Sequence, residues 1–223
     1  MTKKINIAID GPSGAGKSTI AKIIADKYGY IFVNTGSLYR AITYYFLSQK
    51  INVHDEKLVS KSWDNSKLVL LENGDVILEG NNITKLLRKD EISQKSAIIA
   101  KYNNIRNSVT QILHDFQTKH KGVIMEGRDT TYVLMPNAEL KIFLWADSEV
   151  RAQRRVKQNL ELNLETNFNL VLKDIEKRDF IDSNRKINPL QKTFDSIFLD
   201  STVLSQEEVI QQISKLIESK IGK

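Results

Sequence analysis

Cysteine is absent from all 223 residues, which removes both a disulfide framework and thiolate chemistry. Histidine is scarce, and His54, His114 and His120 are not spaced as metal ligands. With three prolines and ten glycines there is no low-complexity linker, and no internal repeat is visible. No apolar run approaches the roughly 20 residues of a membrane span. The start, Met1-Thr2-Lys3-Lys4, runs into an apolar strand rather than a signal-peptide core, so a cytoplasmic location is expected. What is present, 41% hydrophobic residues in a chain of this length, is enough to bury a sizeable core. The expectation is a soluble enzyme built as one core domain with insertions.

The formal charge is +6, from 33 basic and 27 acidic side chains. Lysines such as Lys57, Lys61, Lys67, Lys85 and Lys89 are scattered, with no basic stretch interleaved with aromatics, so neither a nucleic-acid nor a membrane partner is expected. Arginine is distributed differently. Arg40, Arg106, Arg128, Arg151, Arg154, Arg155, Arg178 and Arg185 stand in segments that read as functional, and a planar guanidinium grips phosphate in a bidentate way that an ammonium cannot.

Gly11-Pro12-Ser13-Gly14-Ala15-Gly16-Lys17-Ser18 has the spacing of a phosphate-binding loop. Glycines let successive backbone N–H groups and the next helix N-terminus turn toward one anion. In that pattern Lys17 bridges the outer phosphates of a nucleoside triphosphate and Ser18 ligates Mg²⁺. The context fits, since the run Ile5 to Ile9 precedes the loop and Ile20, Ala21, Ile23, Ile24 and Ala25 recur at helical spacing after it. No Asn-Lys-x-Asp guanine motif is present, which argues against a GTPase.

Further strands are expected at Ile31 to Val33, Gly122 to Met125, Leu140 to Trp145 and Ile197 to Leu199, and a helix at Tyr39 to Leu47. Ser205 and Glu208 form a capping box ahead of a last helix with Val209, Ile210, Ile213, Leu216 and Ile217 on one face. The fold class is α/β, an open parallel sheet flanked by helices, with ligands at the strand C-termini. Leu68 to Leu71 and Val76 to Leu78 predict an inserted hairpin with an Asn73-Gly74 turn. In the charged region from Arg154 to Pro189, the spacing of Arg178, Asp182 and Arg185 puts all three on one helix face.

Several segments taken together closely resemble the bacterial cytidylate kinase family. They are Gly11 to Thr19, Asn34-Thr35-Gly36-Ser37-Leu38-Tyr39-Arg40, Glu126-Gly127-Arg128-Asp129, Lys141 to Leu144, Arg178-Asp179 and Asn188-Pro189-Leu190. The resemblance implies transfer of the ATP γ-phosphoryl group to CMP or dCMP with Mg²⁺, by a monomer of nucleoside monophosphate kinase fold. UMP, AMP or another small acceptor stays open as the alternative. It also implies a core at 1–60, 98–153 and 189–223, a monophosphate-binding insertion at about 61–97 and a helical lid at about 154–188.

Position by position, the family pattern assigns Gly11, Pro12, Ser13, Gly14, Ala15, Gly16, Lys17, Ser18 and Thr19 to ATP, with Arg154 facing phosphate at the lid's opening. Thr35 and Tyr39 fall on the CMP side, Arg40 and Arg128 on the CMP phosphate, and Arg106 with Asp129 on the cytosine edge. Asp182 matches a ribose ligand, and Arg178 and Arg185 match phosphate contacts that, with Lys17 and Arg128, carry the catalysis. Departures from the pattern are Ala97 for a serine, Glu126 and Asn34 for aspartates, Thr130-Thr131-Tyr132 for a glycine-threonine step and Ile181 for a lid arginine.

Overall fold

A computed structural model describes residues 4–222. The chain divides into two compact units, one made of residues up to Tyr30 together with those from Ile124 onward, the other of Ile31–Val123.

The chain opens with β1 (Ile7–Asp10) and α1 (Lys17–Tyr28). The second unit then runs through β2 (Ile31–Asn34), α2 (Thr35–Ser48), α3 (Glu56–Ser62), β3 (Leu68–Leu70), β4 (Val76–Leu78), β5 (Asn81–Asn82), α4 (Asp90–Ile99) and α5 (Asn103–Lys119). After it come β6 (Val123–Gly127), β7 (Leu140–Trp145), α6 (Ser148–Glu161), α7 (Phe168–Asn184), β8 (Ile197–Asp200) and α8 (Gln206–Ile221).

In the first unit β1 lies between β6 and β7, and β8 extends the sheet beyond β7, all parallel. Ile7, Ala8, Ile9, Ile124 and Met125 are wholly buried, as befits parallel strands covered on both faces. Asp10 pairs in register with Gly127 and Phe143, so the loops after β1 and β6 leave from the same C-terminal edge. Helix α1 is tied to α8 by Lys27 donating to Ser214 (3.0 Å) and Tyr28 to Glu218 (2.8 Å). The capping box at Ser205 forms as expected. Among the described residues no helix is long and apolar enough to cross a membrane.

The second unit has its own core. Leu38, Ala41, Ile42 and Phe46 of α2 are buried, as are Ile105, Val109, Leu113 and Phe116 of α5. Trp63 packs edge-on against Tyr45, ring centroids 5.6 Å apart. The expected hairpin is present, with Leu68 opposite Leu78, and β5 adds a third strand for which no alternation in the sequence speaks. Its turn differs from expectation. Gly74 N–H donates to Leu71 C=O and Leu71 N–H to Asp75 C=O, so Glu72-Asn73 is central and Gly74 follows in the left-handed region at φ 82°. A two-residue Asn-Gly turn would need a positive φ at Asn73 as well, and Asn73 has none.

Candidate active site

The loop between β1 and α1 is shaped by close backbone approach. A Cβ on Gly11 would stand 2.0 Å from the Leu144 carbonyl oxygen, so only glycine fits there. Helix α1 begins at Lys17 behind Gly16, with no side-chain cap and no acidic residue in its first turn, which leaves its N-terminal pole to an anion. Lys17 is 5% exposed and its Nζ donates to Pro12 C=O at 2.8 Å. Burial first, and the Arg128 charge second, bring its pKa from 10.5 down to about 7, against the pull of Glu126, Asp10 and Asp182.

Ser18 Oγ donates to Glu126 Oε1 at 2.7 Å, so hydroxyl and carboxylate form an oxygen pair suited to a hard cation. Asp10 is close by but otherwise engaged: its carboxylate accepts from Thr130 N–H (2.9 Å), Thr131 N–H (2.8 Å) and Thr131 Oγ1 (2.7 Å). Among the described residues no cluster of three or more His, Cys, Asp or Glu could hold a metal ion. Ser18 and Glu126 are the oxygen donors that would be at hand for a cation arriving with phosphate.

Beyond β6 the chain passes through Arg128 and Asp129 into one π-helical turn, Thr130–Leu134, which Asp10 fastens down. Arg128 Nε donates to Asp182 Oδ2 at 2.6 Å, Arg185 Nη2 to Asp129 Oδ1 at 3.3 Å, and Arg185 Nη1 stands 3.8 Å from Asp182 Oδ1. Burial opposes the charge on both Asp182 and Arg128 and is outweighed. Arg128, Arg178 and Arg185 hold the Asp182 carboxyl below its usual range, and Asp182 with Glu126 raises Arg128. Arg178 and Asp182 lie one turn apart on α7, but Arg185 is the residue that ends the helix, in extended backbone, instead of continuing the same face. Asp182 C=O accepts the Leu190 N–H, which ends the helical path there. Arg154 donates to Ser201 C=O at 2.6 Å and to Ser201 Oγ at 3.2 Å, beside the end of β8.

The second unit holds the other candidates. Asn34 caps α2 by accepting from Ser37 N–H (3.1 Å), and the same oxygen accepts from Arg40 Nη2 (3.2 Å), which also donates to Ser37 Oγ (3.0 Å). Thr35, first in α2, is buried. Tyr39 is buried as well, with the Arg106 guanidinium 5.6 Å above its ring. Arg106 is 1% exposed and donates to Ala100 C=O at 3.0 Å. Ser96 Oγ donates back along its own helix to Ser93 C=O, and Ala97 follows it.

A family model described as "Cytidylate kinase" matches residues 7–219. The chain belongs to the cytidylate kinase family. The "Cytidylate kinase" of Mesomycoplasma hyopneumoniae (strain 7448) is 58% identical over 99% of this chain and 96% of its own length. That of Bacillus subtilis (strain 168) is 40% identical, with 99% of each chain covered. A gluconokinase structure from Sinorhizobium meliloti 1021 has TM-score 0.50 at 14% identity, covering 98% of this chain and 97% of that one. An uncharacterized protein from Eubacterium ventriosum has TM-score 0.52 at 15% identity, covering 97% and 99%. Both structures speak to the fold alone, which this chain shares with them.

Three residues that the structure ties to the glycine loop or to the turn after Asp129, namely Asp10, Arg151 and Asp179, carry no role in the sequence reading. Asp10 was detectable as an acid closing an apolar strand, where burial demands donors. In the sequence Arg151 stands only as one of an arginine cluster, and Asp179 only as the neighbour of Arg178 in a motif. The bonds that bring Arg151 and Asp179 to the loop run 138 and 166 residues along the chain, so no local pattern announces those two.

Proposed function

We propose that the chain transfers the γ-phosphoryl group of ATP to CMP or dCMP, giving ADP and CDP or dCDP. The observation that carries this reading is a buried lysine in a glycine loop that shares one unit with Arg128, Arg178 and Arg185. Phosphoryl transfer through a loose transition state asks for positioning and charge neutralisation, and little covalent chemistry. When bound with ATP, Mg²⁺ supplies part of that neutralisation, and Ser18 and Glu126 are the residues to hold it. Lys17 bridges the outer phosphates, and Arg178 of α7 with Arg185 just past its end meets charge developing on the transferred group. No general base is assigned, because the acceptor phosphate oxygen is already anionic.

Asp129 accepts from the cytosine N4 amino group, where uracil would present a carbonyl oxygen. Arg40 and Arg106 in the second unit, with Tyr39 beneath Arg106, are assigned to the acceptor nucleotide on the family pattern. The segment of about residues 154–188 acts as a lid that excludes water, a competing acceptor.

The test is initial-rate ADP formation from MgATP with CMP, dCMP, UMP, AMP and GMP offered separately. Turnover should be strong with CMP and dCMP and lost in Lys17→Ala. Replacing cytosine by uracil should cost about 1–3 kcal/mol per mispaired group in kcat/KM. Equal turnover of UMP, or none of any monophosphate, would overturn the acceptor assignment.

A further inference from the structure

Ser13, the third residue of the glycine loop, has both its backbone groups held by side chains from far along the chain. Asp179 Oδ1 accepts its N–H at 2.9 Å, and Arg151 Nη1 donates to its C=O at 2.7 Å. The same Nη1 reaches Asp179 Oδ2 at 2.5 Å, which closes the circuit. Arg151 Nε donates in turn to Ala146 C=O at 2.7 Å, and the guanidinium lies 5.7 Å from the Trp145 ring centroid. Arg151 is 2% exposed and the Asp179 side chain 19%, so the guanidinium is anchored to the end of β7 and shielded from water while its partner keeps an edge at the surface.

Such an arrangement is unlike that of an arginine offered to a ligand. The Nε and Nη1 donors of Arg151 are committed inside the protein, and Asp179 uses one oxygen on its cation and the other on the loop. Breaking a buried pair by removing one partner leaves a charge uncompensated. Here that charge would sit hydrogen-bonded to the loop meant for a polyanion.

We infer that Arg151 and Asp179 are positioning residues for ATP: together they pin Ser13, so that the loop keeps one shape before nucleotide arrives. Asp179 alone would place a bare carboxylate on a phosphate loop and repel ATP; Arg151 cancels it. The inference rests on the ATP-site reading above. The acceptor side should be affected less, because Arg128 is bonded directly to Asp182, and Asp179 reaches it only as the last and smallest of the charges that raise it.

Two measurements test it, on the double variant Arg151→Met with Asp179→Leu, which removes the pin and leaves no unpaired charge on the loop, and, should that variant fold poorly, on Arg151→Met alone, which leaves the Asp179 carboxylate facing ATP. In the nucleotide-free protein, amide exchange at Ser13 should accelerate while the amides of β1 stay protected. KM for ATP should rise about tenfold with KM for CMP within about twofold, since a displaced loop costs one substrate its alignment. A general loss of folded protein lowers kcat and leaves both KM values in place, so that pattern, or an unchanged ATP KM in a folded variant, overturns the inference. Calorimetry of ATP with the wild-type chain separates the two readings: no binding there sinks the ATP site itself, whereas equal binding to wild type and variant sinks only the positioning role.

Discussion

Lys17 shows how environment sets the behaviour of one side chain. An ammonium loses most of its hydration when buried, and here burial outweighs every nearby carboxylate, leaving a pKa of about 7. The unfolded chain therefore binds more protons than the folded one between about 7 and 10.5, so stability without nucleotide rises with pH across that window. ATP reverses the balance by placing phosphate charge against the amine. Binding at about pH 8 should take up close to one proton per ATP, measured by calorimetry in buffers of different ionisation heat. Lys17→Arg stays charged throughout and should take up none. Equal uptake by the two proteins would mean that Lys17 does not face the phosphates.

At the scale of elements, the legible parts were those whose cause is local. The glycine loop, the capping box at Ser205, the apolar strands and the two longer strands of the insertion all announce themselves within a few residues. The π-helical turn at Thr130–Leu134 does not, because its fastening comes from Asp10, 120 residues earlier. Nor does the end of α7, where the spacing of Arg178, Asp182 and Arg185 suits a helix but the chain leaves it at Arg185. Two helix caps separate structural from functional effects. Ser205 caps α8 and touches no candidate residue, so Ser205→Ala should cost about 1 kcal/mol, a fall in Tm of roughly 2–4 °C, with unchanged kinetics. Asn34 caps α2 and also holds Arg40. Asn34→Ala should cost about the same stability and in addition raise KM for CMP about three- to tenfold, with KM for ATP unchanged. If the two variants behave alike in kinetics, Asn34 is a cap and nothing more.

Across the whole molecule the two basic residue types divide the work. Lys57, Lys61, Lys85 and Lys89 are exposed and Lys67 half-buried, whereas Arg40, Arg106, Arg128, Arg151, Arg154, Arg178 and Arg185 are buried or half-buried; Arg155, exposed, and Lys17, buried in the glycine loop, are exceptions among the residues singled out above. That division follows from hydration, because a guanidinium gives up its water more cheaply than an ammonium and can satisfy several acceptors at once. The net charge of +6 therefore acts at two ranges. Salt screens the outer lysines, since the Debye length falls from roughly 10 Å at about 0.1 M to roughly 3 Å at about 1 M. The inner arginines, in contact with their partners and shielded from solvent, are affected far less. Raising ionic strength from about 0.05 M to about 0.5 M should lower kcat/KM for both anionic substrates about three- to tenfold while kcat holds. A fall in kcat of the same size would instead place the salt-sensitive charges at the reacting phosphates, and would contradict the division drawn from burial.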